Sequence, residues 1–131
     1  MTPGILNAAI TNAQQSTFPR HKVAAVIFDK KRILATGTNA KRFTHRLKPR
    51  YKRFNNSFHA EQAAILNARR DLKGKSMLVL RITAGGNFGL AKPCDLCMSF
   101  IEYVGIKNLY YTDENGGIAY EKILCPSNYR G

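Results

Sequence analysis

Apolar residues recur at helical spacing in three stretches of this chain and run together in short β-rich blocks between them. Over 4–15, Ile5, Leu6, Ala9, Ile10 and Ala13 share one face, and Thr2 followed by Pro3 supplies a start signal, so a first helix is expected there. A loop broken by Pro19 leads to VAAVIFD at 23–29. Lys30 and Lys31 read as a tight turn, and RILATGT at 32–38 as the antiparallel partner strand. Residues 40–57 are polar without a period, a length of loop that in a small domain is usually functional or mobile. A second helix is expected over 59–70, with Ala63, Ala64, Ile65, Leu66 and Ala68 as its apolar positions. MLVLRIT at 77–83 is a third strand, followed by a glycine-containing connection over 84–92. The third helix, over 94–103, is preceded by Pro93 and closed by Gly105.

KNLYYT at 107–112 is the fourth strand, and Ile118, Ala119 and Tyr120 resume β-prone residues after DENGG. Asn115-Gly116 is a strong hairpin signal. A parallel return would need a dozen or more residues, so the fifth strand should fold back antiparallel to the fourth. The order α-β-β-α-β-α-β-β predicts an α/β protein, a three-layer α/β/α sandwich around a five-stranded mixed sheet.

At 131 residues, with 44% apolar content and no repeat or low-complexity tract, the chain reads as one domain over 1–131. The N-terminus has no basic segment followed by an apolar run, and no stretch approaches membrane-spanning length. A soluble, intracellular and unsecreted protein is therefore expected, with no membrane partner. Three cysteines, two of them in one CxxC, do not form a disulfide framework and suit a reducing compartment.

Charge changes the picture. Twenty-one Lys and Arg against eight Asp and Glu give a net +13, which favours polyanionic partners. The excess is concentrated in KRFTHRLKPRYKR at 41–53, where Lys41, Arg42, Arg46, Lys48, Arg50, Lys52 and Arg53 are interleaved with Phe43 and Tyr51 and no acid intervenes. Cations with aromatic neighbours suit a sugar-phosphate backbone and stacked bases. A solvated basic surface is the plainer alternative.

Two expected helix starts carry the chemistry: His59-Ala60-Glu61, and Pro93-Cys94-Asp95-Leu96-Cys97. Cysteines three apart on a helix share a face, so both sulfurs reach one ion. With His59 they form a three-donor set, the number a catalytic zinc keeps while one position stays open. Glu61, in the first turn, is placed to move protons there. A structural zinc would instead recruit His21, His45 or Cys125 as fourth ligand. A redox dithiol would lie after the first strand rather than late in the chain.

The pair HxE and PCxxC resembles the cytidine deaminase superfamily, and the likeness runs from the first hairpin to the last strand. The resemblance implies a cytidine-deaminase-like sandwich and a zinc-dependent hydrolase acting on C–N bonds of cyclic amidines. One zinc per chain would be held by His59, Cys94 and Cys97, with Glu61 as catalytic acid and base. The reaction is hydrolytic attack at C4 of cytosine, or C6 of adenine, with loss of ammonia. It further implies that the Ala60 N–H meets the pyrimidine O2, that the Lys92 carbonyl accepts from the amino group, that Asn39 faces the sugar, and that Tyr110 or Tyr111 stacks on the base.

Family members that edit tRNA adenosines or single-stranded DNA carry a helix after the fourth strand and a parallel fifth. DENGG in that place puts this chain in the branch with a C-terminal hairpin, which holds free-nucleoside deaminases and nucleic-acid-modifying toxins alike. The basic segment, which precedes His59, favours cytosine in single-stranded nucleic acid, DNA ahead of RNA. The alternatives are free cytidine or deoxycytidylate, a tRNA adenosine, and a non-catalytic zinc module that binds nucleic acid. Retention of Glu61 speaks against the last. Oligomeric state is open.

Overall fold

The structure, a computed structural model, describes residues 2–18, 21–39 and 59–124. Helix α1 (Pro3–Gln14) begins where the Thr2 side chain accepts from the Ile5 N–H. Its buried Ile5, Ala9 and Ala13, four residues apart, lie on Ala24, Val26, Phe28, Leu78 and Leu80 of the sheet. Strands β1 (His21–Asp29) and β2 (Arg32–Thr38) form the expected antiparallel pair, their turn closed by Lys30 at φ 58°. β3 (Ser76–Thr83) runs antiparallel to β1, and β5 (Asn108–Thr112) parallel to β3. The crossover between those two carries helix α3 (Asp95–Tyr103), which covers the sheet face opposite α1 together with α2 (Ala60–Ala68). Ala25, Ile27, Met77, Val79 and Leu109 alternate with the α1-facing residues and form the core on that side.

β6 (Ile118–Lys122) pairs antiparallel with β5, from Asn108↔Lys122 to Thr112↔Ile118. The hairpin is as the Asn-Gly pair predicted. Gly116 sits at φ 84°, and Asp113 Oδ1 accepts from the N–H groups of Asn115 and Gly117. Several boundaries shift by one or two residues. β1 starts at His21 and β6 runs to Lys122, because polar residues extend each ladder beyond its apolar block, while His59 and Cys94 are N-caps rather than helical.

The five-stranded sheet needs one correction. The connection after β3 contains a two-residue strand, β4 (Phe88–Gly89), paired antiparallel with β3, so the sheet has six strands in the order β2-β1-β3-β5-β6 with β4 on β3. A turn at Gly86 makes the pairing, with the Asn87 carbonyl accepting from Thr83 N–H and Oγ. Fully buried Thr112 then fastens this segment to the sheet. It donates to the Gly89 carbonyl at 2.6 Å, accepts from the Arg81 N–H at 3.2 Å, and its own carbonyl accepts from the Ala91 N–H. The chain thereby reaches Pro93 and Cys94 along a fixed path. No helix among the described residues is long and apolar enough to cross a membrane.

Gly37 sets how closely α2 approaches the sheet. A Cβ there would stand 2.4 Å from the Ala64 nitrogen and 2.7 Å from the Ala60 carbonyl, both backbone atoms that cannot swing aside. Gly37→Ala is therefore expected to lift α2 or to unfold it, with a loss of about 1–3 kcal/mol by overpacking. Thermal unfolding measures the loss, and an unchanged midpoint would show that α2 does not seat on this strand.

Candidate active site

His59 and Cys94 occupy the N-cap positions of α2 and α3, so the starts of both helices meet at one point. His59 is fixed from its own helix, where its N–H donates to Gln62 Oε1 at 3.3 Å. Its Nδ1 stands 3.8 Å from Cys94 Sγ and 3.3 Å from Cys97 Sγ, and all three donor atoms lie within 4.8 Å of one another. Metal bonds of about 2.0–2.3 Å at tetrahedral angles put neighbouring donors about 3.5 Å apart, so the set fits one zinc.

The electrostatics agree. Burial keeps the His59 imidazole below its ordinary pKa, hence neutral and ready to donate a lone pair. Cys97 is fully buried, and burial followed by the negative charges of Glu61 and Cys94 holds its thiol far above the usual range. Such crowding of anionic groups is what a divalent cation relieves. Among the described residues no fourth donor joins the cluster. His21 bonds to Arg81 instead, and His45 and Cys125 lie outside the described residues.

Glu61 projects from the first turn of α2 and is only 6% exposed. Burial pushes its carboxyl above the normal range, opposed more weakly by hydrogen bonds from its own backbone N–H and the Cys97 thiol. A carboxyl of raised pKa beside a metal position can both take and return a proton near neutrality.

His59, Glu61 and Cys94 line a cleft of about 350 Å³ at the end of β1 and β3, within the range of small-molecule sites. Ala60, Lys92 and Asn39 line it as well. The Asn39 side chain is engaged within the fold. Its Oδ1 accepts from Ser16 Oγ and the Val23 N–H while its Nδ2 donates to the His21 carbonyl, which ties the loop after α1 to the strand pair. Lys92 is paired at 3.3 Å with Glu121 of β6.

The expected stacking tyrosines need correction. Tyr110 faces α1, its ring centroid 6.0 Å from Phe28 and 5.0 Å from Tyr120, on the side of the sheet away from the cleft. Tyr111 faces the other way but is packed in the core, its hydroxyl donating to Glu121 at 2.6 Å. Neither lines the cleft. Lys41, Arg42, Arg46, Lys48, Arg50, Tyr51, Lys52 and Arg53 lie outside the described residues.

Six lining residues were not anticipated there: apolar Val23, Leu90 and Ala91, and Phe18, His21 and Arg81. Phe18 follows α1 with no motif around it, and only the strand register brings His21 and Arg81 together. Alternation gave a signal for the pair, since both fall on the same face of the sheet as Val23 and Val79.

Residues 4–113 match the family described as the cytidine and deoxycytidylate deaminase zinc-binding region. Comparison with curated proteins gave no match. Among solved structures, the cytidine deaminase of Burkholderia pseudomallei superposes with a TM-score of 0.65 at 18% identity, over 93% of each chain. The dCMP deaminase of cyanophage S-TIM5 gives 0.61 at 22% identity, over 87% of this chain and 86% of that one. The fold also matches 29% of a Thermotoga maritima diaminohydroxyphosphoribosylaminopyrimidine deaminase/reductase, with a TM-score of 0.56 at 24% identity over 85% of this chain. With the family match spanning most of its length and the three zinc donors gathered beside a buried glutamate, the chain belongs to the cytidine and deoxycytidylate deaminases.

Proposed function

We propose that this protein hydrolyses cytosine to uracil on a phosphate-bearing carrier, with a free cytosine nucleotide such as deoxycytidylate as its substrate. The observation that carries the reading is buried Glu61 beside the cluster of His59, Cys94 and Cys97, within a cleft of about 350 Å³. Zinc held there by His59, Cys94 and Cys97 would lower the pKa of water towards about 7. Glu61 accepts a proton as water oxygen bonds to C4, and delivers protons as the bond from C4 to the amino nitrogen breaks. Of the two water protons, one ends on ring N3 and the other leaves in ammonia. The Ala60 N–H and the Lys92 carbonyl orient the base, and Phe18 offers a ring against its face. The S-TIM5 enzyme, which shares this fold, has been crystallised with dCMP and dUMP.

A second reading, cytosine in single-stranded nucleic acid, is favoured by the seven cations at 41–53. Zinc-loaded protein incubated separately with cytidine, deoxycytidylate and a cytosine-containing oligonucleotide, following uracil, separates the two. Deoxycytidylate is expected to turn over fastest. If the oligonucleotide leads, and seven phosphate contacts form, its affinity should fall with a log–log salt slope of about −5, and the second reading replaces the first. No uracil from any substrate would overturn both.

A further inference from the structure

We infer that Arg81, with His21 against it, is the phosphate anchor of this cleft; the inference rests on the deaminase reading, since it assigns the substrate's phosphate to a place in the same site. Arg81 and His21 sit at the open end of the paired strands β3 and β1 and line the cleft. Arg81 Nη2 lies 2.6 Å from His21 Nδ1. A guanidinium has only donors, so Nδ1 accepts and the ring proton is left on Nε2. The pair therefore presents N–H groups and no acceptor.

Among the described residues the ion pairs join Lys75 to Asp29 and Lys92 to Glu121, and Arg81 takes part in neither. Lys92, the other cation of the cleft, thus has its charge offset by a carboxylate, while Arg81 does not. Among the described residues, buried Arg81 Nε has no hydrogen-bond partner, an arrangement that costs free energy unless something repays it. The fold even makes room for the side chain: a Cβ on Gly89, its partner across the β3–β4 pair, would come within 3.3 Å of Arg81 Cδ and 3.4 Å of Nε. A planar fork of donors with no carboxylate paired to it among the described residues is suited to phosphate oxygens, which it can meet with two parallel hydrogen bonds.

The test is a split between substrates. Arg81→Gln and His21→Ala, zinc-loaded and checked for their melting temperature, are assayed on deoxycytidine, deoxycytidylate and an oligonucleotide. For Arg81→Gln, the loss in kcat/KM on deoxycytidylate should exceed the loss on deoxycytidine by about 10–100-fold, mainly through KM, as expected for hydrogen bonds to a charged group. The His21→Ala split should be smaller and in the same direction. A larger split on the oligonucleotide than on deoxycytidylate would identify the phosphate as that of a strand. Equal losses on all three substrates in both variants would overturn the assignment, because Arg81 would then serve the fold or the base. If wild-type protein with full zinc deaminates none of them, the deaminase reading fails, and calorimetric titration with deoxycytidylate still decides this one. Weaker binding to Arg81→Gln than to wild type supports the anchor, and equal binding refutes it.

Discussion

Glu61→Gln is expected to retain one zinc per chain while its deamination rate falls by about 10²–10⁴-fold, the usual worth of a positioned acid–base group. Glutamine has nearly the same shape and leaves His59, Cys94 and Cys97 untouched, but it can neither take a proton from water nor return one to the base. Stability should move the other way. Because burial raises the carboxyl's pKa on folding, ionisation of Glu61 penalises the folded state. The penalty is absent at pH values below the unfolded pKa, where both states hold the proton. It grows as pH rises through the folded value. Zinc-free Glu61→Gln should therefore melt above zinc-free wild type at neutral pH, and the difference should vanish in acid. Uracil formation, metal analysis and melting curves at several pH values are the measurements. A near-wild-type rate in Glu61→Gln would remove Glu61 from the mechanism.

Cys97→Ala should behave in the opposite manner, losing metal and activity together. Cys97 is the buried member of the donor set and stands 3.3 Å from His59 Nδ1, whereas Cys94 is exposed at the cleft. Replacing supporting residues around a metal site commonly costs 10–100-fold in affinity, so removal of a ligand is expected to cost more than about 100-fold. Excess zinc should not restore turnover, because two remaining donors do not hold the ion in place for Glu61 to serve it. Equilibrium dialysis and the uracil assay test this side by side. Stoichiometric zinc with full activity in Cys97→Ala would mean that the metal sits elsewhere.

Much of this was legible in the residues because the signals were local. RILATGT matched β2 at both ends, Asn115-Gly116 dictated the hairpin, and the two helix starts announced themselves by HxE and PCxxC. What escaped depends on pairing and packing rather than on a local pattern. β4 consists of Phe88 and Gly89 alone, too short to show a period, and exists because Arg81 and Ile82 lie opposite. The resemblance implied that Tyr110 or Tyr111 would stack on the base. Alternation sends one to the α1 face, and the core together with Glu121 claims the other. His21 and Arg81, 60 positions apart, carry no motif and meet only through the β1–β3 register.

The seating of His59 and Cys94 on the first caps of two separate helices makes the ion a crosslink as well as a reagent. His59 and Cys97 are 38 positions apart, and the intervening chain includes β3 and β4. By the arithmetic of covalent crosslinks, closing a loop of that length takes about 4 kcal/mol of entropy out of the unfolded chain. The donors converge only after α2 and α3 have docked on the same face of the sheet, so the unfolded protein offers no comparable site. Metal occupancy is then a readout of completed folding: a cell short of zinc would hold less of the folded enzyme, and the molecules it held would resist unfolding less.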